Sequence, residues 1–359
     1  MAGSGISRRH FNKLLAAGLL TTGSGLNAWA TSNDKRPLRL RAAAIQMEPE
    51  LANLGSNLAQ AEKLIAEAIR QKAQWIILPE MFTTAAAFHP NMHQAIAPID
   101  GEPHQLITSY AKKYNVVIGG SFLAKQEHGV FNSFILAYPD GSVSQHNKDI
   151  PTYWENCYYK KGDDDGVLDT PVGAVGSVLC WEFIRSATAR RLFNKVNLIV
   201  GGSCWWTLPD EADAESPRRA MNLKMLQQAP VRMAQMIGVP VIHGSHAGRF
   251  EAYFSPDLPD VAYNSSYLGE AMIVDAKGNV LARRNRGEGK GIVLAEVSVS
   301  ASTPSRPIPK DFWIPKEMPK DWEESFDRWL DTGSDYYNFV TEEYLKTGKI
   351  IEYVPKYMR

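Results

Sequence analysis

Apolar and polar residues fall into short blocks along this chain, and the period of the blocks switches repeatedly between two and 3.6. Residues 38–46 (LRLRAAAIQ) predict a first strand. Residues 56–71 predict a helix, because Leu58, Ala61, Leu64, Ile65, Ala68 and Ile69 recur at helical spacing. The apolar run 75–78, closed by Pro79, predicts a buried strand. A helix over 104–114 and a strand over 116–122 follow. Strands over 131–137 and 143–147 are joined through Pro139-Asp140-Gly141, a turn signal. Residues 176–179 read as a strand and 186–193 as a helix. Residues 198–200 form a strand running into Gly201-Gly202. A helix over 222–237 contains Pro230, where a kink is expected. The rest is β: 239–244, a hairpin of 272–275 with 280–284 around Lys277-Gly278-Asn279, and 291–299. Alternation of strands and helices with several hairpins predicts mixed sheets covered by helices on their outer faces, an α/β chain.

Composition changes this picture at the two ends. Near residue 303 the chain turns proline-rich (Pro304, Pro307, Pro309, Pro315, Pro319) and then Trp/Tyr-rich over 322–357. So aromatic a tail is expected to pack over the core or onto another subunit. At the other end, Arg8-Arg9, Phe11 and Lys13 precede a short apolar stretch over 14–20 and a small-x-small site at Ala28-Trp29-Ala30. That order predicts a twin-arginine export signal over 1–30, cleaved after Ala30, and work in the periplasm. No stretch is apolar enough to span a bilayer, so stable membrane insertion is not expected. Three regions result: the signal 1–30, a catalytic domain 38–300, and an extension 301–359.

Charge narrows the function. With 39 basic and 39 acidic residues, nothing points to nucleic acid. The 44% hydrophobic content over 359 residues supports one large core or two modest ones. Three cysteines, Cys157, Cys180 and Cys204, are too few for a disulfide framework and fit no zinc spacing. His243 and His246 are too few to bind a metal by themselves.

Three polar residues each end an apolar strand: Glu80, Lys148 and Cys180. Taken singly, each has an ordinary explanation: a strand cap, a solvated lysine, a small buried thiol. Strand C-termini of layered α/β folds share one edge, however, so the three could meet. A thiol near a base becomes a nucleophile. A carboxylate can take its proton, and an ammonium can stabilise negative charge after attack. A helix predicted after Cys180 would favour an anion there.

Leu78-Pro79-Glu80-Met81-Phe82, Asn147-Lys148 and Leu179-Cys180-Trp181-Glu182 together resemble the nitrilase superfamily of carbon–nitrogen hydrolases, in order and interval, over roughly residues 38–300. The resemblance implies a four-layer αββα sandwich that pairs into homodimers or larger homo-oligomers. It implies Glu80 as general base, Lys148 as stabiliser of the tetrahedral intermediate and Cys180 as nucleophile, with no cofactor and no metal. The stretch from Lys148 through Pro151-Thr152 to Glu155 is similar to one in which a second glutamate assists, so Glu155 takes that role. Cys-Trp-Glu at 180–182 is closer to nitrilases than to amidases, whereas Asn147 and Gly269-Glu270-Ala271 depart from the usual pattern. Trp181, Glu182, Cys204 and Trp205 are the candidate substrate-binding residues, with Trp206 a further pocket candidate and Cys157 near the entrance. The expected reaction releases ammonia from a small nitrile or amide through a Cys-linked intermediate. Rival readings are an amidase or N-carbamoyl hydrolase with the same machinery, a metal-dependent phosphoesterase of similar layering, and a non-catalytic exported binding protein.

Replacing Arg8 and Arg9 by Lys is expected to retain the protein in the cytoplasm. Fractionation of cells expressing both forms checks this, and unaltered export of the variant would refute it.

Overall fold

The computed structural model describes residues 38–359, so the expected export signal lies outside the described residues. The first half of the chain builds one sheet. Its strands are β1 (Leu38–Met47), β2 (Trp75–Ile77), β3 (Val117–Gln126), β4 (Gly129–Ala137) and β5 (Val143–Asn147). They lie side by side in the order β5-β4-β3-β2-β1. β1, β2 and β3 are parallel, and the hairpins that follow are antiparallel. The second half repeats the plan with β6 (Val167–Thr170), β7 (Gly173–Leu179), β8 (Leu198–Ser203), β9 (Val241–His246), β10 (Gly269–Val274), β11 (Val280–Asn285) and β12 (Gly291–Val299). Here β7, β8 and β9 are parallel, β6 pairs antiparallel with β7, and β10 and β11 continue antiparallel beyond β9.

The last strand, β12, returns to the first sheet and pairs antiparallel along β1 from Leu38 to Gln46. β1 touches β9 through Gln46–Ser245 and Met47–His246. Two sheets are therefore joined at one end and separated over the rest of their length.

Helices cover both outer faces. α1 (Leu54–Arg70) and α2 (Glu102–Tyr114) bury Ala61, Ile65, Ile107 and Ala111 against Ile45, Ile76 and Ile118 of the first sheet. α3 (Ser186–Leu192) and α4 (Pro217–Ile237) pack Leu192, Leu226 and Met233 against Val178, Ile199 and Val241 of the second. The result is the αββα layering. Asn53 caps α1, its side chain accepting from the Ser56 amide at 3.2 Å. α4 starts at Pro217, earlier than the apolar spacing indicated, because proline suits the first helical turn. Pro230 does not end α4, which continues to Ile237.

The extension is folded onto the same body. Residues 37–359 form one compact unit. α5 (Lys320–Tyr336) leads through a π-helical turn, Tyr337–Thr341, into α6 (Glu342–Thr347). Trp322 and Phe326 join the core beside α3 and α4. Tyr336, Tyr337 and Val340 join a third cluster with Met81, Tyr158 and Tyr159. This clustering is why so aromatic a tail needs no separate core.

Two glycines bring the sheets together where the site forms. A Cβ on Gly244 of β9 would lie 2.7 Å from the Leu78 carbonyl carbon and 2.8 Å from the Pro79 nitrogen. One on Gly202 of β8 would lie 3.0 Å from the Glu80 nitrogen. The backbone that delivers Glu80 therefore rests on bare backbone of the opposite sheet. Gly244→Ala is expected to push the sheets apart and to cost about 1–3 kcal/mol of stability, the usual penalty of overpacking. A denaturant titration measures it, and a stability equal to the parent's would show that the contact gives way freely.

Candidate active site

Cys180 directly follows β7 and carries φ of +49°, the left-handed region that a residue with a Cβ occupies at about 1–2 kcal/mol. Such a bend at a strand end turns the side chain out of the sheet. The turn is held by Glu182. Its carboxylate accepts from the Leu179 amide at 2.8 Å and the Asp149 amide at 3.0 Å, and so ties the end of β7 to the residue after Lys148. His146 and Arg191 sit against the same carboxylate at 3.2 and 3.3 Å. Burial works to raise the Glu182 carboxyl, but His146 and the two arginines, Arg191 and Arg185, outweigh it and hold it well below the usual range. Burial likewise opposes charge on His146, yet Glu182 and Asp164 push it up to about 9.

Three ionisable side chains meet in front of Cys180. Lys148 Nζ lies 2.8 Å from Glu80 Oε1 and 2.6 Å from Glu155 Oε2, with all three side chains buried. Asn132 Nδ2 donates to Glu80 Oε1 at 2.9 Å, and the Cys204 amide donates to Glu80 Oε2 at 2.9 Å. Glu155 Oε2 also accepts from the Thr152 amide at 3.0 Å and from the Tyr159 hydroxyl. Donor atoms of Glu80, Glu155 and Cys180 all lie within 4.8 Å of one another. That grouping could hold a cation, and the Lys148 ammonium already sits between its two carboxylates.

The electrostatics follow from burial. Desolvation raises Glu80 above the usual carboxylate range, with Glu155 adding to it and Lys148 opposing. Desolvation pushes the Cys180 thiol well up, Glu80 adding and Lys148 opposing. Burial alone would lower Lys148, but Glu155 and Glu80 outweigh it and hold the ammonium well above the lysine range. At rest the thiol keeps its proton beside a fully charged lysine and a carboxylate with raised proton affinity.

A cavity of about 220 Å³ opens onto Cys180, walled by Trp181, Trp205, Trp206, Tyr153 and Phe250 among others. The family description of carbon–nitrogen hydrolases matches residues 41–306, more than half of the chain. The chain belongs to the carbon–nitrogen hydrolase family. A nitrilase of Pyrococcus abyssi is 27% identical over 209 residues, covering 56% of this chain and 79% of that protein. Nitrilase 3 of Arabidopsis thaliana is 26% identical over 164 residues, 40% of this chain, and the chain spans about half (47%) of its length. Among solved structures, a carbon–nitrogen hydrolase of Helicobacter pylori superposes with a TM-score of 0.60 at 19% identity, covering 73% of this chain and 89% of that one.

In this carbon–nitrogen hydrolase, Glu80, Lys148 and Cys180, read from the sequence as strand-end residues, come together with Glu155, which the family resemblance had singled out. Trp181, Cys204, Trp205 and Trp206 line the cavity. Glu182 does not line it, because its carboxylate is turned into the protein to hold backbone amides. Cys157 also stays away from the mouth, fully buried in the cluster under the extension. The helix expected over 186–193 does begin at Ser186, but the 3-10 turn Cys180–Ile184 separates it from Cys180, so little helix dipole reaches the thiol. His243 and His246 are structural. His243 Nε2 meets Ser203 Oγ at 2.8 Å, and His246 Nε2 donates to the Glu80 carbonyl at 2.8 Å. Burial lowers both to about 4, so they stay neutral.

Sequence reading missed Asn132, Tyr159 and His146. Asn132 had a signal: with Ser133 it interrupts an otherwise apolar strand, and it is fully buried. His146 had none, since its partners Asp164 and Glu182 lie in other segments, and nothing in the local pattern aims Tyr159 at Glu155, four residues before it.

His146 makes the scaffold pH-sensitive. Its affinity for a proton is higher folded (about 9) than unfolded (about 6.5), so its contribution is complete below the unfolded value and is lost as pH rises through the folded one. Stability is expected to fall by about 1.4 kcal/mol per pH unit at most between those values. Unfolding measured at pH 7 and pH 9 checks this, with a smaller drop expected in His146→Gln. Equal drops in the two proteins would remove His146 as the cause.

Proposed function

We propose that this hydrolase cleaves the carbon–nitrogen bond of a small nitrile or amide through a covalent bond to Cys180. The observation that carries the reading is the buried group of Cys180, Glu80 and Glu155 within 4.8 Å, with the Lys148 ammonium between the carboxylates. As Cys180 Sγ attacks the substrate carbon, its proton passes to Glu80, whose raised proton affinity suits it to that task. Transfer in step with attack avoids a free thiolate, which burial disfavours. Lys148 keeps its proton and faces the charge that develops on the substrate's oxygen or nitrogen. Glu155 holds Lys148 in place.

With an amide, the tetrahedral adduct collapses with release of ammonia, protonated from Glu80, and leaves a thioester. With a nitrile, addition first gives a thioimidate, as Glu80 passes the thiol's proton on to the nitrile nitrogen and returns to its carboxylate form. A water molecule deprotonated by Glu80 adds to it before ammonia leaves. In both cases a further water hydrolyses the thioester, giving the carboxylic acid and the thiol. Relatives named nitrilases make nitriles the first substrates to try.

Cys180→Ala is expected to abolish turnover, and Glu80→Gln and Lys148→Ala to lower kcat by about a thousandfold or more. Ammonia release from matched nitrile and amide pairs, with circular dichroism to confirm folding, measures this. Full activity in Cys180→Ala would overturn the mechanism.

A further inference from the structure

We propose that the C-terminal extension, through Trp322 and Trp329 of α5, forms the substrate-selecting wall of the cavity and restricts the enzyme to uncharged, flat aromatic substrates. This rests on the hydrolase reading above and goes on to name the substrate class. Both tryptophans line the cavity that opens onto Cys180. They are seven residues apart, close to two helical turns, and so share one face of α5. Trp329 stacks on Tyr153 with centroids 4.0 Å apart and planes 26° from parallel. Trp322 stacks on Trp181, next to the nucleophile, at 6.3 Å and 24°. α5 is anchored to the turn that carries Glu155: Asn156 Nδ2 donates to the Leu330 carbonyl. Both tryptophans lie beyond residue 306, where the family match ends, so this wall belongs to the chain's own extension.

The chemistry of the wall sets the class. Among the described residues, no Asp, Glu, Lys, Arg or His lines the cavity. Asn222 is the one amide side chain among those described there, and its groups are engaged: Oδ1 accepts from Trp205 Nε1 at 2.7 Å and Nδ2 donates to the Trp206 carbonyl at 2.9 Å. A carboxylate held away from the reacting carbon would lose its hydration against these aromatic walls, which offer it no cation. An N-carbamoyl amino acid is therefore a poor fit. A neutral ring gains by burial and by edge or offset contacts with surrounding aromatics. The volume, about 220 Å³, is below the usual drug-sized range of about 300–1,000 Å³, which suits a single ring.

The test is steady-state kinetics on benzonitrile and benzamide, acetonitrile and acetamide, and N-carbamoylglycine. The parent enzyme is expected to favour the aromatic member over the aliphatic one by about a hundredfold in kcat/KM, with no measurable turnover of the carboxylate-bearing compound. Trp322→Ala and Trp329→Ala should each reduce that ratio at least tenfold, mainly through KM, and Trp329→Phe should restore it. Aromatic and aliphatic substrates turned over within threefold by the parent, or a ratio unaltered in both folded alanine variants, would overturn the proposal. Should the parent hydrolyse no nitrile or amide, the hydrolase reading fails, and the wall is then read by calorimetry on Cys180→Ala. Benzamide binding at least tenfold tighter than acetamide and N-carbamoylglycine supports the wall; equal or reversed affinities overturn it.

Discussion

The site depends on one buried ammonium. Lys148 lies between Glu80 and Glu155, with its nitrogen and both carboxylates out of water. Taking three charges from solvent is costly, and their mutual attraction offsets that cost only with short contacts and full hydrogen bonding. The neighbours supply most of the bonding: Asn132 and the Cys204 amide to Glu80, the Thr152 amide and Tyr159 to Glu155 Oε2, with Glu155 Oε1 left without a partner among the described residues. Removing one member would leave an unpaired buried charge, an effect of several kcal/mol in comparable sites. The same arrangement keeps Lys148 charged, while burial raises the proton affinity of Glu80 and Cys180.

Holding that group together is the work of the fold. Glu80 and Lys148 follow the ends of strands of the first sheet, and Cys180 follows the end of a strand of the second. Gly202 and Gly244 let the backbone before Glu80 lie directly on the opposite sheet, and His246 fixes the Glu80 carbonyl. Glu182 draws the ends of β5 and β7 together through two backbone amides. The strained φ of Cys180 is maintained by these bonds. A charged network one layer behind Cys180 thus keeps the geometry, while the cavity in front stays apolar. The two environments differ because backbone amides reward a carboxylate and an aromatic wall does not.

Much of the chemistry was legible in the chain. Glu80, Lys148 and Cys180 stand out because each follows an apolar run whose period marks a strand, and strand ends share an edge. The main helices and strands were equally visible, with boundaries displaced by a few residues, as at Pro217. Glu182 was misplaced for a physical reason. Adjacency to Cys180 suggested the cavity, but the bend at residue 180 turns the next carboxylate inward. Trp322 and Trp329 carried an aromatic signal without an address, since composition says that such residues will be buried and not where.

The sequence by itself determined which residues could supply a nucleophile, a base and a cation, because local period and turn chemistry are written in neighbouring positions. The tertiary structure alone decided that the ammonium lies within 3 Å of both carboxylates, that Glu182 braces the turn at Cys180, and that the extension walls the cavity. Several of those contacts join residues distant in the chain: Glu80 with Lys148, Asp149 with Glu182, Tyr153 with Trp329. They depend on strand pairing, on close backbone approach and on the direction of each side chain, which no local pattern records.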